Sequence, residues 1–203
     1  MQYSHQTRSA FYLLLVLCFA SFAADASRAE TLTFTGTRFS QNPPANPVGR
    51  CAPAFTVNIN PSVGTSTGTS NFGTFTSTQS HCITPPLPAS FNNGLFTWTF
   101  ASGSTLTGTY TGAVTASGTP GVFGDTENYL VTGGTGLFTG ATGNITGIGA
   151  LTFPPNALPF ANVNLSGTVT TTPEPATMLL LGTGLAGVAA RLRKRLKIKS
   201  TKA

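Results

Sequence analysis

Few residues in this chain have types and spacings that could do chemistry. Asp125-Thr126-Glu127 sets two carboxylates two positions apart. On a strand, residues i and i+2 share a face, so the pair could act as a carboxylate dyad or hold a cation. Beside Gly124 it reads first as the solvated start of a strand. His81 adjoins Cys82, and Cys51 lies upstream. A Cys and a His together raise the possibility of a nucleophile with its base, or of two metal ligands. Neighbours on an extended chain point to opposite faces, and one His with two Cys falls short of a tetrahedral zinc set. No nucleophile and base stand at a spacing suited to covalent catalysis. No catalytic residue, metal or cofactor is therefore expected, and the protein is expected not to be an enzyme.

A glycine-rich turn at 129–140, Tyr-Leu-Val-Thr-Gly-Gly-Thr-Gly-Leu-Phe-Thr-Gly, follows a strand much as a dinucleotide-binding loop does. The third glycine of G-x-G-x-x-G falls on Thr139, and no acidic residue lies about twenty positions on. No Gly-Lys-Ser/Thr of a P-loop occurs. Nucleotide binding is excluded on these grounds. The turn is read instead as structural, with Gly133, Gly134 and Gly136 supplying positive φ and Phe138 tucking back onto the core.

The two ends carry an address. Arg8 precedes an apolar stretch over 10–22, and Ala24-Asp25-Ala26 has the A-x-A form of a signal-peptidase site. Residues 1–26 are expected to be a signal peptide handled by the Sec machinery and signal peptidase. Cys18 is not in a lipobox, since Leu17 stands where a small residue is needed. At the other end, Pro173-Glu174-Pro175 precedes an apolar run over 176–190. At about 1.5 Å per residue that run covers about 22 Å, a short span against a hydrocarbon core of about 30 Å. Arg191, Arg193, Lys194 and Arg195 follow, then Lys197, Lys199 and Lys202 in the tail 191–203. Such a cluster stays cytoplasmic and stops transfer, which leaves the body outside the cytoplasm. The net charge of +6 therefore belongs to the tail. In the body Arg28, Arg38 and Arg50 balance Glu30, Asp125 and Glu127, so no basic patch exists for nucleic acid.

These three C-terminal parts resemble the bacterial PEP-CTERM sorting signal, here 170–203. The resemblance implies an exosortase as partner, and an exported precursor held transiently in the inner membrane. Cell-surface or extracellular delivery would follow. It also implies a non-enzymatic role linked to exopolysaccharide or biofilm. Export leaves Cys51 and Cys82 as an even pair in an oxidising compartment, which reads as one disulfide.

The body, 27–169, reads as one all-β domain. Period-2 alternation recurs at 31–35, 55–59, 105–114 and 163–169, and Phe96, Trp98 and Phe100 share a face. Further strands are expected at 71–78, 126–132 and 142–151, with loops at 43–47, 84–88 and 154–159. About eight strands result. Glycines within them and a weakly charged, threonine-rich surface favour closure into a single antiparallel barrel, which leaves no edge to protect. Threonine rows on an outer face could also meet a polysaccharide. Residues 128–143 resemble the "GGTG-x-F-x-G-x-x-G" stretch of allene oxide cyclase-like and dirigent-like proteins, and Ser166-Gly167-Thr168-Val169 fits a terminal barrel strand. That resemblance implies an eight-stranded barrel and, as a second functional expectation, a small-molecule-binding or isomerising lumen. A cavity lined by aromatics and a few polar groups would favour the second, and a filled lumen the first.

Overall fold

The computed structural model describes residues 29–60 and 64–172, with isolated positions 183, 184, 187 and 191. The expected signal peptide with Ala24 and Ala26, Cys18, Pro173, Glu174, Pro175, Arg193, Lys194 and Arg195 lie outside the described residues, as does nearly all of 176–190. Arg191 is exposed. Among the described residues no helix is long and apolar enough to cross a membrane.

Alternating apolar and threonine positions give nine strands: β1 (Glu30–Gln41), β2 (Phe55–Ile59), β3 (Ser66–Ser70), β4 (Gly73–Ile83), β5 (Ala89–Phe100), β6 (Thr105–Ala116), β7 (Val122–Thr135), β8 (Thr142–Thr152) and β9 (Phe160–Thr171). All pair antiparallel. β9 zips along the whole of β1, from Glu30↔Thr171 to Gln41↔Phe160, and β4 pairs with β5, so the sheet closes into a barrel of eight strands. The ninth, β2, shares an edge of β4 with β3. β3 takes residues 73–76 of that edge and β2 takes 79–83. Both run antiparallel to β4, so they lie end to end along it. The compact unit is Glu30–Thr172, because β9 continues past the expected end at Val169.

Two expectations change at turns. Residues 71–78, read as one strand, are the β3–β4 turn and the first half of β4. Asn71 sits in that turn, accepting from Thr35 N and donating to Thr33 O. This fastens the hairpin onto β1. Of the three glycines expected at positive φ, only Gly136 has it, at 61°. β7 runs on to Thr135 and takes a bulge at Thr132, so Gly133 and Gly134 are paired strand residues. Gly134 is needed for close approach instead: a Cβ there would lie 2.4 Å from Thr105 O and 2.8 Å from Phe138 Cβ. Phe138 is fully buried, in a single 3-10 turn, as the turn reading requires.

The lumen has two halves. At the end where β1 begins and β9 finishes, aromatic rings fill it. Trp98 is 0% exposed and packs at 5.0–5.3 Å between ring centroids against Phe34, Phe75, Phe96 and Tyr129. Phe100 and Phe72 close over Phe138. Each such pair adds about 0.5–1.5 kcal/mol beyond area burial. The chain leaves the barrel at this filled end. The other half is where the inward positions turn polar.

Candidate functional site

Each strand brings its side chain to the polar half through the same alternation that builds the core. On β1, Phe34 and Arg38 share the inward face, so extending the row of Phe34 puts a guanidinium inside the barrel. β4 contributes Gln79 and His81, β6 contributes Tyr110, and β7 contributes Asp125, Glu127 and Tyr129. All are buried. Arg38 is 2% exposed, and Asp125 and Glu127 are each 5% exposed.

These groups form a connected network. Arg38 Nη2 donates to Glu127 Oε1 and Oε2 at 2.6 and 2.7 Å, and Nη1 donates to Gln79 Oε1. Gln79 Nε2 donates to Tyr129 OH at 2.9 Å, and Tyr129 OH donates to Glu127 Oε2 at 2.6 Å. The ring Arg38–Glu127–Tyr129–Gln79 is therefore closed and carries no net charge. Burial, the largest single influence, opposes the charge on Arg38, but Glu127, Tyr129, Tyr110 and Asp125 together outweigh it and hold the guanidinium above its ordinary pKa. Burial pushes Tyr110 and Tyr129 well above the usual phenol range, with Glu127 adding to both. His81 is lowered to about 3 by burial, then by Arg38 and Arg50. It is neutral, and its Nδ1 lies 2.7 Å from Tyr110 OH. The phenol keeps its proton, and which of the two donates follows from the imidazole tautomer.

Asp125 stands apart from the ring. Its carboxyl is raised to about 7, by burial and then by Glu127, with Arg38 acting in the opposite direction. Its Oδ1 is buried without a hydrogen-bond partner. Above the network lies a cavity of about 270 Å³ that reaches these groups. Its walls include Val57, Ile59, Phe91, Val114 and Leu151, and Pro43, Pro44 and Phe153 stand at its rim. Gly112 opposite Phe91 makes this wall possible, since a Cβ there would meet the ring at 2.1 Å. Ligand pockets run from about 300 Å³ upward, so the occupant is small. A larger hollow, about 760 Å³, lies on the outer face among Thr37, Thr69, Thr76, Thr99, Phe39 and Asn164. Its hydroxyls and amides bring no acid or base to bear, so the chemistry belongs to the lumen.

The rim strap, 42–54, is held by an Asn46–Thr56 bridge, by a disulfide and by Arg50. Cys51 and Cys82 form the expected disulfide. Arg50 donates to Ser80 Oγ at 2.9 Å, to Ser80 O at 2.7 Å and to Asn93 O. Replacing both cysteines with serine should cost about 2–4 kcal/mol, read as a lower urea midpoint.

Several expectations are corrected here. Asp125 and Glu127 are not a solvated strand start; they face the lumen because β7 enters it from Val122 onward. Arg38 already takes both Glu127 oxygens, so the pair does not share a cation. Among the described residues no cluster of three or more His, Cys, Asp or Glu could hold a metal. His81 and Cys82 do separate, the first into the lumen and the second into the disulfide. Arg38 went unrecognised as a site residue, although its place in the alternation of β1 could have revealed it.

A closed barrel with a small, partly polar lumen is the class that fold and site define. Residues 171–194 match the PEP-CTERM protein-sorting motif. The chain thus carries a sorting signal of exported precursors that transit the membrane, with exosortase as processing partner. Two solved pterocarpan synthase dirigent proteins are similar in fold. One is 15% identical, covers 73% of this chain and 87% of its own, and has a TM-score of 0.44. The other is 13% identical, covers 72% and 97%, and has a TM-score of 0.45. No curated protein matches.

Proposed function

We propose that this is an exported barrel whose lumen binds a small, mostly apolar molecule. Signal peptidase cuts near Ala24 and Ala26. Exosortase then processes the chain at Pro173-Glu174-Pro175, with 176–190 as the membrane segment and Arg191, Arg193, Lys194 and Arg195 as the stop. The product ends at the cell surface or outside the cell. The observation that carries the lumen reading is the buried, unpartnered Asp125 Oδ1 beside an unfilled apolar cavity. A purely structural module would close that space with side chains, as the other half of the lumen does.

The role is binding without turnover. His81 is too weak a base near neutrality to activate Tyr110. A second reading, an isomerising lumen, is favoured by one fact: an Asp raised to about 7 is suited to proton exchange at neutral pH. Asp125→Asn separates the two, because an amide still donates a hydrogen bond but exchanges no proton. The outer threonine hollow is where a link to exopolysaccharide would be made.

Intact and native mass spectrometry of the chain recovered from outside the cytoplasm tests the proposal. The expected result is a chain cut near both ends that carries a small molecule, with Val114→Trp lacking that adduct. A full-length cytosolic chain, or an adduct untouched by Val114→Trp, overturns it.

A further inference from the structure

We infer that the lumen selects an uncharged ligand that presents a hydrogen-bond acceptor, such as a carbonyl oxygen, to the carboxyl group of Asp125, and that it turns away carboxylates. This rests on the lumen-binding reading above. Both Glu127 oxygens and Gln79 Oε1 take three of the four terminal N–H groups of Arg38, which leaves the Nε hydrogen and one hydrogen on Nη1. A ligand anion would gain little from a guanidinium already neutralised. It would also enter beside two carboxyl groups, Asp125 and Glu127, where water does not screen the repulsion.

A cation fares little better. The walls are apolar, and burying a ligand charge there is costly unless it is fully paired. The one group available to pair it, Asp125, is held protonated below about pH 7 by burial and by Glu127. The charged and titratable groups facing Asp125 are Arg38 from β1, His81 from β4, Tyr110 from β6 and Glu127 from its own strand. β8 and β9 bring only Gly149, Leu151, Ala161 and Val163 to this end. In that setting Asp125 is an O–H donor with no acceptor inside the protein. The ligand supplies the acceptor, and the rest of its surface meets Val57, Ile59, Phe91, Val114 and Leu151.

The test uses three probes that share one ring and differ in the head group: acetophenone, benzoate and benzylamine. Each is titrated calorimetrically into the full chain in amphipol at pH 6 and pH 8. Acetophenone should bind at pH 6 and weaken about tenfold at pH 8, as the protonated fraction of a group near 7 falls. Asp125→Asn should bind it equally at both pH values, and Asp125→Leu should bind it weakly at both. Benzoate binding as tightly as acetophenone overturns the selectivity, as does benzylamine binding as tightly as acetophenone at pH 6, where Asp125 is protonated. In either case the lumen is still a binding site and only the ligand class is wrong. If none of the three probes binds, the lumen-binding reading falls and this inference with it.

Discussion

Replacing Arg38 with methionine should destabilise the barrel by about 3–5 kcal/mol, because it strands a buried carboxylate. Glu127 would lose both hydrogen bonds from Nη2 and, among the described residues, its buried counter-charge. Gln79 Oε1 would lose its donor. Glu127→Gln should be costly for the opposite reason, leaving the guanidinium buried without an anion. Removing the two together is a different matter. In Arg38→Met/Glu127→Leu the charges vanish in pairs, Gln79 and Tyr129 keep their mutual hydrogen bond, and apolar atoms take the space. The double variant should lie much nearer to wild type than the sum of the single changes, with a coupling of at least about 2 kcal/mol in a denaturant-based cycle. Additive losses would mean that the pair does not act as a unit.

The second large effect is a pH profile. The folded pKa of Asp125 is raised, so its contribution to stability is fully present below about 4 and is lost as pH rises to about 7. The folded pKa of His81 is lowered, so its contribution is present above about 6.5 and is lost as pH falls toward about 3. Between about 4 and 6.5 the two slopes oppose each other, and these groups together leave stability nearly flat. Asp125→Asn removes one slope. It should raise stability by up to about 4 kcal/mol at pH 8 and change it little at pH 4. It should also unmask the histidine, so that the variant loses about 1.4 kcal/mol per pH unit on acidification through that window. Urea midpoints at a series of pH values measure this. A variant profile parallel to wild type would contradict the assigned environment of Asp125.

Much of the architecture was legible from period-2 patterning. The inward face of β6, with Leu106, Tyr110 and Val114, and that of β9, with Val163, Leu165 and Val169, follow from alternation alone. β2 was legible to its end residues. The β3–β4 hairpin was not, because Ser66–Ser70 and Gly73–Thr78 share one threonine-rich composition, and its turn residues, Asn71 and Gly73 at a φ of 103°, look no different from the glycines and asparagines inside other strands. The bulge at Thr132 was equally hidden: it moved Gly133 and Gly134 from turn to strand without changing the pattern that suggested the turn. The site was less legible than the fold. A charged residue on a strand is usually outward, and that expectation misassigned Asp125 and Glu127 and passed over Arg38. What overrides it is closure. Once eight strands meet, inward charges from β1 and β7 arrive within hydrogen-bond reach across the lumen, a juxtaposition of residues 89 positions apart that no local pattern carries.

The central claim is that the unfilled half of this lumen exists to hold a small molecule on an exported barrel. A crystal structure of the chain purified from its own export compartment tests it most directly. The account requires electron density for a small molecule between Val57, Phe91 and Leu151, with an acceptor atom within hydrogen-bond distance of the Asp125 carboxyl. A lumen closed by its own side chains, with Asp125 bonded within the protein, would contradict it.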